Sequence, residues 1–157
     1  MCRRVDGAML LVLALSAGGC GGKAPYEGKS AAELERMLRD PDPVVQVQGA
    51  FGLSQLGPEA RGAVPTLAEA LKSPDALVRQ NAALALGRIG PDARGAVPAL
   101  TAALRDPEWS VRRQAALSLG WIGPDARPAA AELEKLGRDP NRRVREAAQE
   151  ALGRLKK

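Results

Sequence analysis

SPDALVRQNAALALGRIGPDARGAVPALTAALRDP, residues 73–107, decides how the rest of the chain is read. Its proline at 74 has counterparts at Pro41, Pro107 and Pro140, in steps of 33 residues. The pair Gly90-Pro91 returns at the same interval, as Gly57-Pro58 and Gly123-Pro124. A fixed period of this size marks a solenoid, in which each unit buries its apolar side only against its neighbours.

Each unit reads as two helices. The second is expected to start after Asp40, Ser73, Asp106 or Asp139, N-cap residue types that each precede a proline at the first helical position. Asp42, Asp75 and Glu108 then fall in the first turn, where the helix dipole favours an acid. Val78, Ala82, Ala85, Leu86 and Ile89 share one face at helical spacing. Gly90 followed by Pro91 is the expected stop. The first helix of the next unit tolerates Pro98 only in its opening turn, and the first helices close on Arg39, Lys72, Arg105 and Arg138. Expected helix pairs are 30–39 with 42–56, 63–72 with 75–89, 96–105 with 108–122, and 128–138 with 141–155. In the last pair Gln149 and Glu150 stand where the preceding unit has Ala116 and Leu117, the polar outer face of a terminal unit.

The pattern D-P-x-x-x-V-R-x-x-A-A-x-A-L-G-x-I-G resembles the HEAT repeat, in the short variety found in phycobilisome lyases. The resemblance spans nearly all of residues 30–155. It implies an all-α fold, a right-handed α-α superhelix of four two-helix units over 30–157, with second helices lining the concave side. It also implies a polar ladder between units, whose arginines are Arg79, Arg112 and Arg145; Gln46 departs from that column.

Residues 1–19 have a different character. Arg3 and Arg4 precede an apolar run at 8–17, and small residues lead to Cys20, the order of a secretory signal. The run is too short for a membrane-spanning helix. Residues 16–20, SAGGC, resemble a bacterial lipobox, which implies a lipidated (palmitoylated) Cys20 as the mature N-terminus and an envelope lipoprotein on the periplasmic side of the outer membrane. Residues 20–29 are then a flexible tether, whose stretch 21–29 reaches up to ~30 Å at ~3.3 Å per residue. Gly28-Lys29-Ser30 does not make a phosphate loop, because Gly22 and Gly28 enclose five residues rather than four and no strand precedes them. Ser30 with Glu33 reads instead as a capping box.

The chain has no histidine. That removes the commonest general base, leaves serine and cysteine nucleophiles without an imidazole partner, and leaves no credible zinc or haem ligand set. Cys2 departs with the signal, so no disulfide forms within the mature chain. Hydrophobic residues make up 45% of the chain but aromatic ones only 3%, so the core is alanine and leucine, suited to close helix packing more than to a deep pocket. Neither enzyme activity nor a cofactor is expected. A lyase-like or lyase-chaperone role, implied by the resemblance alone, would lack a histidine or free cysteine for tetrapyrrole attachment.

Binding residues are sought where the four units differ. On the second helices the variable columns lie together on the wheel, away from the core stripe. They place Gln80, Asn81, Leu84, Arg88, Arg113, Gln114, Leu117, Trp121 and Arg154 on one surface. Trp121, with Arg88 and Arg154 above and below it, is either a binding hot spot or a ring packed over arginine stems. Trp109, near a turn, is expected against the preceding inter-unit loop. The expected function is a non-enzymatic, monomeric, membrane-tethered scaffold that binds a protein partner through its concave face. A nucleic-acid or other polyanion-binding solenoid is the alternative, and the secretion signal counts against it. Cys20→Ala should leave the protein uncleaved or released from the membrane fraction, because the acyl anchor is gone. Fractionation, with the N-terminal mass of the wild type, checks this.

Overall fold

The structure is a computed structural model, described here over residues 23–156. The signal sequence, Cys20 and the start of the tether lie outside these residues. Eight α-helices follow one another: α1 (Ala31–Leu38), α2 (Pro43–Leu56), α3 (Val64–Ala70), α4 (Ala76–Ile89), α5 (Val97–Ala103), α6 (Trp109–Ile122), α7 (Ala130–Lys135) and α8 (Arg142–Leu155). They form four helix pairs, and the second helices α2, α4, α6 and α8 pack side by side along the array.

The entry to each second helix differs from the sequence-based expectation. Asp42, Asp75 and Asn141 are the N-caps, their side chains accepting from the amides of Val44, of Leu77 and Val78, and of Arg143. Glu108 holds the equivalent cap position without a side-chain bond. The residues expected as caps stand two positions earlier. Asp40, Ser73, Asp106 and Asp139 each accept from the amide two residues on, at 2.9, 3.3, 2.9 and 2.8 Å. Short polar side chains bond their own backbone in this way at turns. The following prolines therefore lie in the turn rather than at the first helical position.

The connections are also more ordered than expected. Gly57, Gly90 and Gly123 take φ of 56°, 75° and 83°, values that glycine alone adopts freely. From each runs a 3-10 helix: Gly57–Ala63, Gly90–Ala96 and Gly123–Ala129. The period of three explains it. Ala60 and Ala63, Ala93 and Ala96, and Ala126 and Ala129 stand three apart and are all buried, so a three-residue turn stacks both on the core. The first helices are correspondingly shorter than expected, with Pro65 and Pro98 in their opening turns. Ser30 and Glu33 do form the capping box of α1.

The core is continuous. Leu53, Leu86 and Leu119, with Val78, Val111 and Val144, are fully buried. Val45 and Leu152, expected in the same columns, are only partly buried because each belongs to an end unit with a neighbour on one side. The second helices come together at small residues. A methyl group on Gly87 would lie 2.9 Å from the Ser118 Cα and 2.5 Å from the Trp121 ring; one on Gly120 would lie 2.9 Å from the Ala151 Cα. The first unit closes differently. At Gly49 a methyl group would lie 2.7 Å from the Leu34 carbonyl oxygen, and at Gly52 it would meet both Leu34 and Tyr26. Helix α1 and Tyr26 thus cover the side of α2 that in inner units faces a preceding second helix. Residues 25–28 form a turn, and the Tyr26 ring meets Phe51 edge-on at 5.0 Å. This end of the expected tether is packed rather than free.

Gly153 occupies the column of Gly87 and Gly120 but has nothing within 4 Å of the position of an added Cβ. Gly87→Ala should therefore cost ~1–3 kcal/mol through overpacking. Gly153→Ala should gain up to ~1 kcal/mol by relieving the helical cost of glycine. Denaturant unfolding of the two variants measures both signs.

Candidate functional site

Two surfaces carry the chain's polar side chains, and the first is structural. The Arg79 guanidinium grips Asp106 of the next unit with two bonds, Nε to Oδ2 at 2.7 Å and Nη2 to Oδ1 at 2.9 Å. Its Nη1 donates to the carbonyls of Ser73 and Pro74 in its own entry turn. Arg112 repeats this on Asp139 and on the carbonyls of Asp106 and Pro107. A planar guanidinium is suited to such a paired grip. Its side chain is 12% exposed in Arg79 and 14% in Arg112, so both pairs are largely desolvated. The bond to Asp106 raises the Arg79 pKa further. Burial pushes the Asp139 carboxyl up, but the Arg112 and Asn141 hydrogen bonds with the charges of Arg112 and Arg145 outweigh it and hold the pKa below its usual value.

The ladder changes at both ends. In the first unit Gln46 Nε2 reaches only the Asp40 carbonyl, at 2.6 Å, and the residue where the next unit's acid would stand is Ser73. Both members of the ion pair are thus neutral together, which leaves no buried charge unpaired. Arg145 makes the two carbonyl bonds, to Asp139 and Pro140, at 2.7 and 3.1 Å. No carboxylate lies in its grip among the described residues. A second, more exposed row runs along the first helices, from Arg39 to Thr66 and from Arg105 to Glu132. Bonds from Arg105 and Lys135 draw the Glu132 carboxyl down to about 2.

The second surface is the one formed by the variable columns of the second helices. Gln80, Asn81 and Leu84 are partly buried on α4, with Arg88 exposed. The Asn81 amide turns back to the Leu77 carbonyl at 2.8 Å. On α6 Arg113 is exposed and Leu117 partly buried. Arg154 on α8 is exposed and paired with Glu150 at 2.8 Å. Two residues depart from expectation. Gln114 is 7% exposed; its amide donates to the Ser118 hydroxyl, which in turn donates to the Ala83 carbonyl of α4. It belongs to the inter-helix contact rather than to a binding surface. Trp121 is partly buried, its ring against Gly87 and under the Arg88 guanidinium at 5.7 Å. Glycine at 87 leaves the space that the indole fills. Of the two readings of Trp121, the geometry realises packing. Trp109 is 37% exposed and faces forward, with the Arg143 guanidinium of the next unit 5.8 Å from its ring, not back to the preceding loop.

Sequence reasoning placed Leu84 and Leu117 on this surface but left out the residues that extend their row. Phe51 stands 33 residues before Leu84 and is likewise partly buried, and Tyr26 caps it. The repeat interval carried the signal for Phe51. Nothing local in the sequence marks Tyr26. The result is a half-exposed apolar row, Phe51, Leu84 and Leu117, one per unit, flanked by the exposed cations Arg88 and Arg113 and ending at the exposed Glu150.

Comparison with known proteins agrees with the geometry. The family model for HEAT repeats matches residues 31–94 and again 91–153. No curated protein matches the chain. Among solved structures, an engineered protein superposes with a TM-score of 0.71 at 29% identity, over 80% of this chain and 62% of that one. The complex of CpcE and CpcF of phycocyanin lyase from Nostoc sp. gives 0.68 at 25% identity, over 89% and 57%. Human deoxyhypusine hydroxylase gives 0.64 at 31% identity, over 94% and 53%. The chain thus spans a little over half the length of these neighbours.

The neutral first rung supplies a test of the charged ones. Arg79→Gln should leave Asp106 without its cation and cost ~3 kcal/mol, the scale for breaking a largely buried pair. Adding Asp106→Ser, which rebuilds the Gln46 and Ser73 arrangement, should recover most of that loss. Denaturant midpoints of the single and double variants give the comparison.

Proposed function

Since the chain belongs to the HEAT-repeat family, we propose that it is a non-enzymatic scaffold that binds another protein along its second helices, the concave side in such a superhelix. It acts, on this reading, as a lipoprotein tethered through Cys20 to the bacterial outer membrane. The observation that carries the binding surface is the half-exposed row Phe51, Leu84 and Leu117, repeated once per unit beside Arg88 and Arg113. Partly exposed apolar side chains ringed by arginine match the composition of interface cores. The Nostoc neighbour is itself a complex of two proteins, which accords with a partner-binding role. With no histidine in the chain and its most buried carboxylates held in arginine pairs, no group stands ready as a general base.

Leu117→Glu tests the surface without disturbing the fold, because Glu150 already occupies the same column in the next unit. Affinity for protein captured from envelope extracts should fall by ~2 kcal/mol, about thirtyfold, with only modest dependence on salt. Binding that is indifferent to Leu117→Glu, falls with Arg88→Ala and Arg113→Ala, and weakens steeply with salt would make the ligand a polyanion instead.

A further inference from the structure

The four units serve as controls for one another, and by that comparison α8 carries an inner interface with nothing built against it. Three residues show this. Arg145 holds the same two entry-turn carbonyls as Arg79 and Arg112, so its guanidinium is already positioned. Its Nε and Nη2, which in the inner units grip an aspartate of the following unit, have no partner among the described residues. Gly153 is the third glycine in the column where Gly87 and Gly120 admit the next second helix, yet open space lies over it. Leu152 is partly exposed where Leu86 and Leu119 are fully buried.

The opposite end is closed. A preceding helix in the inner geometry would have to cross α2 at Gly52, and Leu34 and Tyr26 lie there. A second copy therefore cannot stack head to tail on α8 in this way. Nor does α8 repeat an inner helix throughout. Gln149 and Glu150 replace the buried Ala116 and the partly buried Leu117, giving the face the polar content of an interface that forms and separates. Four arginines against two glutamates leave α8 positively charged.

We propose that the outer face of α8 docks a helical hairpin of another protein, one that offers a carboxylate from its helix-entry turn to Arg145 and a small residue to Gly153. This site is separate from the Phe51, Leu84 and Leu117 row, and either can fail without the other. The carboxylate would complete the two-bonded grip seen at Asp106 and Asp139. The small residue would sit as Ala151 sits on Gly120.

The probe is a hairpin of known complementarity, the chain's own residues 123–157 joined after Leu155 in place of Lys156 and Lys157. It is built with Gln149→Ala so that the junction matches the inner ones, and the ungrafted Gln149→Ala chain is the reference. The graft brings an aspartate to Arg145 and an alanine to Gly153. The thermal midpoint should rise by about 5 °C or more in one transition. Arg145→Gln removes the open grip and keeps a carbonyl bond of the kind Gln46 makes. It should abolish more than half of that rise in the grafted chain, yet shift the ungrafted chain by less than about 2 °C. Gly153→Leu should likewise act only on the graft. A hairpin that melts separately or adds no stability would overturn the proposal, as would equal effects of Arg145→Gln in both chains. Sedimentation of the unmodified chain gives one more test: a dimer lost on Arg145→Gln would make a second copy the occupant and overturn it too.

Discussion

Everything in this structure depends on how closely consecutive second helices approach. At Gly87 and Gly120 the neighbouring helix comes so near that one added methyl group would meet its backbone. Close approach of this kind needs small side chains, which is why alanine, glycine and serine fill the contact and the chain makes do with so few aromatic residues. With no bulky side chains to key one helix into the next, the apolar contact alone defines its sliding register weakly. The arginine grip supplies that definition, because a guanidinium bonded to two carbonyls of its own turn and two oxygens of the next unit's aspartate admits one relative position.

The same demand shapes the connections. An Asx-type turn at Asp106 and Asp139 ties one carboxylate oxygen to the backbone two residues on, and it fixes the carboxylate where the arginine of the preceding unit can reach it. The 3-10 segments carry two alanines onto the core per connection and return the chain in few residues. Local turn chemistry and long-range stacking are thus one device. Where the device is relaxed, at Gln46 with Ser73, both partners change together.

The two ends of the array are not equivalent. One is closed by α1 and by Tyr26 on Phe51; the other presents Arg145, Leu152 and Gly153 with polar neighbours. Between them the apolar row on the second helices is partly covered but never sealed, since each unit shields only its neighbours. An array of this kind can meet partners along its length and at its open end through different residues, without a pocket being built for either.

The sequence by itself determined the period, the four helix pairs, the identity of the core columns and the arginines of the ladder. Each of these follows from composition recurring every 33 residues, and a repeat makes its own alignment. It did not place the helix starts, because Asp-Pro and the following acid are both good cap types and only the backbone path shows which one caps. It also could not separate Gln114 from Arg113, adjacent on the wheel, one turned into the contact with Ser118 and the other out to solvent. Trp121 looked like the most available side chain and is packed on Gly87, a residue 34 positions away. Those outcomes belong to the tertiary structure, since the burial of a side chain on a solenoid is decided by the unit beside it. A helical wheel describes one helix and contains no neighbour.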